Sequence, residues 1–174
     1  SSKVVEAKKI FINTGARPSR PNLPGLHKIT FFDSTSIMEL QEVPEHLVIL
    51  GGGPIGIEFG QMFQRFGSHV IIIQRNSQLL PKEDADIAEE VKKILEQDGI
   101  RIFLAVEIRQ ITQDKDGSIL VKLVTRSGED EIKGSHLLIA IGRVAETHDL
   151  NLSAAGISTD GRGFIKVNER LETG

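Results

Sequence analysis

The chain has 174 residues, 39% of them hydrophobic and 26% charged, with a formal net charge of −3. This fits one globular domain with a sizeable core and excludes a disordered chain. The acidic balance gives no footing for nucleic acid or an anionic membrane. No apolar run approaches the roughly 18 residues of a bilayer span. The lack of cysteine excludes a thiol nucleophile, a disulfide framework and a cysteine zinc site within these residues.

The first predicted element is a strand at Lys9-Ile10-Phe11-Ile12-Asn13, ended by Thr14-Gly15-Ala16-Arg17-Pro18. Pro18, Pro21 and Pro24 punctuate a surface loop reaching Gly25. Asp33-Ser34-Thr35-Ser36 supplies caps for a short helix at Ile37-Met38-Glu39-Leu40, which Pro44 closes off. Leu47-Val48-Ile49-Leu50 is then a buried strand running into Gly51-Gly52-Gly53-Pro54-Ile55-Gly56-Ile57-Glu58. Gly51, Gly53 and Gly56 stand at G-x-G-x-x-G spacing, between an apolar strand and an amphipathic helix. The first allows a sharp turn, the second lets a pyrophosphate approach the backbone, and the third lets the helix pack on its strand. The helix N-terminus adds free N–H groups and partial positive charge. Pro54 suits the first helical position, where its missing N–H costs little.

The helix carries Phe59, Met62, Phe63 and Phe66 at i, i+3, i+4 and i+7, an expected core stripe, with Gly67 as its terminator. Val70-Ile71-Ile72-Ile73 reads as a parallel strand buried on both faces. A second helix begins at Asp84-Ala85-Asp86, carries Ile87, Val91, Ile94 and Leu95, and ends at Gly99. A third strand follows at Ile100-Arg101-Ile102-Phe103-Leu104. This βαβαβ order is half of a doubly wound fold. Glu107–Thr112, Ile119–Val124 and Glu129–Ile132 then form a predicted antiparallel meander. His136–Ile141 returns to a buried strand ending at Gly142-Arg143. A short strand is expected around Phe164–Val167 in an otherwise weakly patterned tail. The fold class is therefore α/β: a Rossmann-type nucleotide-binding domain with a parallel sheet and an inserted three-stranded meander.

Nicotinamide sites that prefer NADH place an acid about 20 residues past the glycines, on the ribose 2′-hydroxyl. Here that region reads Ile73-Gln74-Arg75-Asn76. The acid is missing, and a guanidinium can grip a 2′-phosphate with two charge-assisted bonds, so NADP is favoured over NAD. Glu58 either favours the helix dipole or reaches the nicotinamide end of the cofactor. The five histidines, at 27, 46, 69, 136 and 148, share no metal-ligand spacing, so no metal site is expected. No G-x-S-x-G elbow supports serine catalysis.

Three segments in order make the chain resemble the FAD-dependent pyridine nucleotide–disulfide oxidoreductases, the family of glutathione reductase, dihydrolipoamide dehydrogenase and mercuric reductase. They are Ile12-Asn13-Thr14-Gly15-Ala16-Arg17-Pro18, the glycine segment with Glu58, and Ala140-Ile141-Gly142-Arg143. The resemblance implies that NAD(P)H passes hydride to FAD, and on through a cysteine pair to a disulfide or metal/thiol substrate. It implies that Gly51, Gly53, Ile55 and Gly56 hold the pyrophosphate and that Glu58 lies near the nicotinamide. Arg75, between Gln74 and Asn76, meets a 2′-phosphate, while Ile141, Gly142 and Arg143 lie by the boundary with FAD. No residue in the chain is expected to be catalytic.

Departures from the family pattern are Pro54, where many members carry an aromatic gate, and Val144-Ala145-Glu146 after Arg143 in place of x-P-N. A second phosphate arginine is lacking near Pro81, with Lys82 as its substitute. Gln74–Ser77 and Lys82–Asp84 resemble the mercuric-reductase-like members. The flavin-binding segments, the C-x-x-x-x-C pair and the dimerisation domain are absent, and the chain opens on Ser1-Ser2 without Met, so it is expected to be the middle of a longer enzyme. The expected division is 1–43 as the edge of the FAD domain with its linker, 44–149 as the NAD(P) domain, and 150–174 as an incomplete return segment. The expected partners are the dinucleotide and the rest of a homodimeric, cytoplasmic flavoenzyme, with neither nucleic acid nor membrane. The alternatives are a flavoprotein without a redox disulfide, such as an NADH oxidase or a ferredoxin-reductase-like protein, and a non-catalytic nucleotide sensor.

Overall fold

A computed structural model describes residues 3–173. In chain order its regular elements are β1 (Ala16–Pro18), β2 (His46–Leu50), α1 (Pro54–Arg65), β3 (His69–Ile73), α2 (Ala85–Gln97), β4 (Arg101–Phe103), β5 (Glu107–Gln113), β6 (Ile119–Thr125), β7 (Gly128–Gly134), β8 (His136–Ile139) and β9 (Arg143–Ala145). They fall into two compact units, Pro18–Gly142 and residues 3–17 with 143–173.

The larger unit is built on a parallel sheet of order β4-β3-β2-β8. Val48, Leu50, Ile71, Ile73, Leu137 and Ile139 face one way and pack with Ile111, Ile119, Val121, Leu123 and Ile132 of the antiparallel sheet β5-β6-β7. Leu47, Ile49, Val70, Ile72 and Leu138 face the other way and pack with Phe63 of α1 and Leu95 of α2. Successive strand side chains point to opposite faces, so a strand covered on both sides must be apolar throughout. The meander thus takes the place of a second helical layer.

The helices show which part of each expected stripe meets the sheet. In α1 the buried line is Gly56, Gly60 and Phe63, while Phe66 lies past the last helical residue and is 60% exposed. Gly60 brings the helix close: a Cβ there would lie 3.1 Å from Ile72 Cδ1. In α2, Ala88 and Leu95 are buried, whereas Ile87 and Ile94 are about half exposed, at 52% and 51%. Both expected stripes are therefore wider than the contact each helix makes.

The 18–43 segment packs on the larger unit. Leu26 and Ile37 are buried, and Phe32 bridges in parallel to Leu138, extending the sheet edge. Asp33 Oδ1 accepts the N–H groups of Thr35 and Ser36, both at 2.9 Å, and starts a 3-10 turn over Ser36–Glu39 where a short helix was expected. The expected division at 43/44 thus falls inside the larger compact unit, and that at 149/150 inside the smaller.

In the smaller unit β1 pairs with β9. The strand expected at residues 9–13 is not formed. Ile10 and Phe11 are 78% and 88% exposed, and an apolar run becomes a strand only where another strand hydrogen-bonds to it. The strand expected at Phe164–Val167 reduces to one bridge, Thr159 to Ile165, around a turn whose N–H groups at Arg162 and Phe164 donate to Asp160 Oδ1.

Candidate cofactor site at the carboxyl ends of the parallel strands

In sheets of this topology, ligands bind beyond the carboxyl ends of the strands, where strand order reverses. That point here lies between β2 and β8. Gly51 follows β2 and takes φ +116°, so that its N–H donates to the Ile73 carbonyl at 2.9 Å. A Cβ on Gly51 would lie 2.4 Å from the Ala140 carbonyl oxygen beyond β8, and one on Gly56 would lie 1.9 Å from the Gly51 carbonyl oxygen. These two glycines lock turn, helix and neighbouring strand together. Gly53 is different: its backbone is extended, and a Cβ there would meet nothing within 4 Å. Its missing side chain leaves open space at the N-cap of α1.

The first N–H closing the helix is that of Ile57, which donates to the Gly53 carbonyl at 3.1 Å. Ahead of it, the N–H groups of Ile55 and Gly56 have no intrahelical partner, as at any helix N-terminus. The residues present fit a pyrophosphate in this cradle: a bare backbone, helix N–H groups and the positive end of a helix dipole.

The cradle opens into a cavity of about 1240 Å³. Gly51, Gly53, Pro54, Ile55, Gln74, Arg75, Asn76, Ile141 and Gly142 line it, so most of the expected site residues converge there. Gly56 lies beneath it, packed against the turn. Glu58 is exposed one turn into α1 and is not among the lining residues. Arg143 opens β9 in the smaller unit, where its guanidinium donates to the Ala16 carbonyl.

Gln74 is buried at 7% exposure, and the reason is local. Its Oε1 accepts the Gly52 N–H at 3.2 Å, and its Nε2 donates to the Gln78 carbonyl at 3.4 Å. The Leu80 N–H donates to the Gly52 carbonyl at 2.8 Å, and the Leu79 side chain fills the space a Cβ on Gly52 would need. The 74–80 segment therefore braces the glycine turn from beneath. Arg75 and Asn76 next to it are exposed.

Two wall residues carry no sequence signal. Leu80 (φ +46°) and Ala105 (φ +55°) occupy the left-handed region, rare for such side chains, and both line the cavity. Each is held by a backbone bond, Leu80 to Gly52 and Ala105 N–H to the Asn76 carbonyl at 2.8 Å. Such conformations persist where surrounding structure over-determines them, which happens most at ligand sites. The β6–β7 hairpin also reaches the cavity, through Thr125 and Arg126. The hairpin belongs to the antiparallel sheet, yet it borders the same cavity as Asn76.

A family model described as pyridine nucleotide-disulphide oxidoreductase matches residues 1–174. The mercuric reductase of Streptomyces lividans is 40% identical over 169 residues, covering 97% of this chain and 35% of that protein. The dihydrolipoyl dehydrogenase of Thermus scotoductus is 35% identical over 144 residues, covering 82% of this chain and 31% of that protein. Among solved structures, the HOCl-induced flavoprotein disulfide reductase RclA from Escherichia coli superposes with a TM-score of 0.86 at 39% identity, covering 97% of this chain and 38% of that one. The chain thus spans about a third of the length of the curated relatives it matches. With a glycine turn, a switch-point cleft and a family match over its full length, the chain belongs to the pyridine nucleotide–disulfide oxidoreductase family.

Proposed function

We propose that this chain is the NAD(P)H-binding portion of a flavin-dependent oxidoreductase, and that it takes NADPH in preference to NADH. The observation that carries the reading is the state of the β3 terminus. The side chain at the usual acid position is Gln74, turned inward onto Gly52, while the exposed side chain next to it is Arg75. A neutral, occupied amide gives a ribose diol no anionic acceptor. A free guanidinium favours a 2′-phosphate.

When bound, the dinucleotide supplies a hydride for FAD carried elsewhere in the parent protein, and the electrons pass on to a disulfide or metal/thiol acceptor. The residues of this chain bind and orient. Gly53, Ile55 and Gly56 present N–H groups to the pyrophosphate, with Gly51 and Pro54 shaping the turn. Gln74 holds that turn from below, and Asn76 lines the adenosine side with Arg75. Ile141 and Gly142 close the nicotinamide side, towards which Glu58 is assigned, and Arg143 marks the FAD boundary.

Calorimetric titration with NADPH and NADH at one ionic strength tests the reading. The expected result is tighter NADPH binding, with the difference falling about tenfold in Arg75→Ala, as for loss of one charge-assisted contact. Equal or tighter binding of NADH contradicts the cofactor choice.

A further inference from the structure

Arg126 sits in the two-residue loop Arg126-Ser127 between β6 and β7, where Thr125 pairs with Gly128. Nothing in the βαβ pattern connects this hairpin with a nucleotide, since it belongs to the antiparallel sheet. The shared cavity connects them. Glu107 at the start of β5 pairs with Val124 of β6. The ladder ends at that pair, and beyond it Ala105, Val106, Thr125 and Arg126 all line the same cavity. The Ala105 N–H donates to the Asn76 carbonyl at 2.8 Å, and the Val106 N–H to the Gln74 carbonyl at 3.4 Å. The hairpin tip thus borders the same cavity as the β3 terminus that carries Arg75.

Arg75, Lys82 and Arg126 all line the cavity, all are exposed, and none makes an ion pair among the described residues. Two carboxylates line it as well, Glu83 and Glu107, and Glu107 is taken by Arg109 at 2.8 Å. The cavity rim therefore keeps an excess of uncommitted positive charge at its adenosine end. The tip that holds Arg126 is fixed: Thr125 Oγ1 accepts the Ser127 N–H at 3.1 Å and donates to the Gly128 carbonyl at 3.0 Å. The loop backbone therefore needs no reordering when the guanidinium binds, and only the rotamers of the Arg126 side chain are fixed.

We infer that Arg126 is a specificity-determining residue that closes over the 2′-phosphate of NADPH from the meander side, opposite Arg75. This rests on the NADPH reading above. It assigns the meander a role in binding as well as in covering the sheet. A phosphate held between two guanidiniums from different layers is enclosed from both sides, whereas Arg75 alone would hold it from one.

The test is titration of wild type, Arg126→Ala, Arg126→Lys and Arg75→Ala with NADPH and with NADH. The expected result is about tenfold weaker NADPH binding in Arg126→Ala, with NADH changed less than about twofold. Arg126→Lys should recover part of the loss, because it keeps the charge but not the bidentate fork. If Arg126→Ala leaves NADPH unchanged, or weakens both cofactors alike, while Arg75→Ala still removes the preference, the Arg126 assignment falls and the NADPH reading stands. If wild type prefers NADH, both fall together.

Discussion

The three motif glycines serve separate purposes, and their substitutions separate accordingly. A side chain at Gly53 enters open space, so it costs the fold little but occupies the position proposed for the pyrophosphate. Gly53→Val should abolish dinucleotide binding while changing unfolding free energy by less than about 0.5 kcal/mol. Gly51→Ala combines φ +116° with a Cβ 2.4 Å from the Ala140 carbonyl oxygen, and should cost at least about 1–3 kcal/mol. Thermal unfolding beside titration distinguishes the two. Tight NADPH binding by Gly53→Val would remove the glycine turn from the site. The glycine spacing was legible in the sequence because it is a local pattern. The orientation of Gln74 was not, since it depends on an N–H donor 22 residues earlier in the chain.

Among the elements, α1 shows how far periodicity reaches. Phe63 is 5% exposed and Phe66 is 60% exposed, although both fall on the same expected stripe. Phe63→Ala should destabilise by about 3–5 kcal/mol, and Phe66→Ala by less than about 0.5 kcal/mol, as measured by denaturant unfolding. Similar losses at both positions would contradict the packing described here.

The turn joining β5 and β6 carries a pH-dependent contribution. The Ser118 hydroxyl, the Ser118 N–H and Lys133 hold Asp116 down at about 2, from an ordinary 3.8. A carboxylate lowered on folding adds stability above its unfolded value and loses it as pH falls through the folded one. The turn should therefore weaken between pH 3.8 and about 2, and Asp116→Asn should remove that dependence. Amide exchange at Ser118 across this range checks it. A flat profile in the wild type would contradict the contacts.

At the scale of the whole molecule, a parallel sheet is covered by helices on one face and by an antiparallel meander on the other. The succession of strands and helices from β2 to β4, the helix starts and the meander turns were legible, because glycines, caps and continuous β-branched runs act over a few residues. The misread strand at 9–13 shows the limit of such signals: Ile10 and Phe11 carry strand chemistry, but a strand also needs a neighbour. The position of Arg126 was hidden for a related reason. It follows from the cavity that the β6–β7 turn shares with the β3 terminus, far apart in the chain.

The proposed seat of the dinucleotide pyrophosphate is the N-terminus of α1. Amide NMR of the chain titrated with NADPH tests this residue by residue. Saturable shifts are expected at Gly53, Ile55 and Gly56, together with Arg75 and Asn76, and none at His46, His69 and His136 at the opposite ends of the strands. Saturable binding that leaves the Gly53, Ile55 and Gly56 amides unmoved would contradict it.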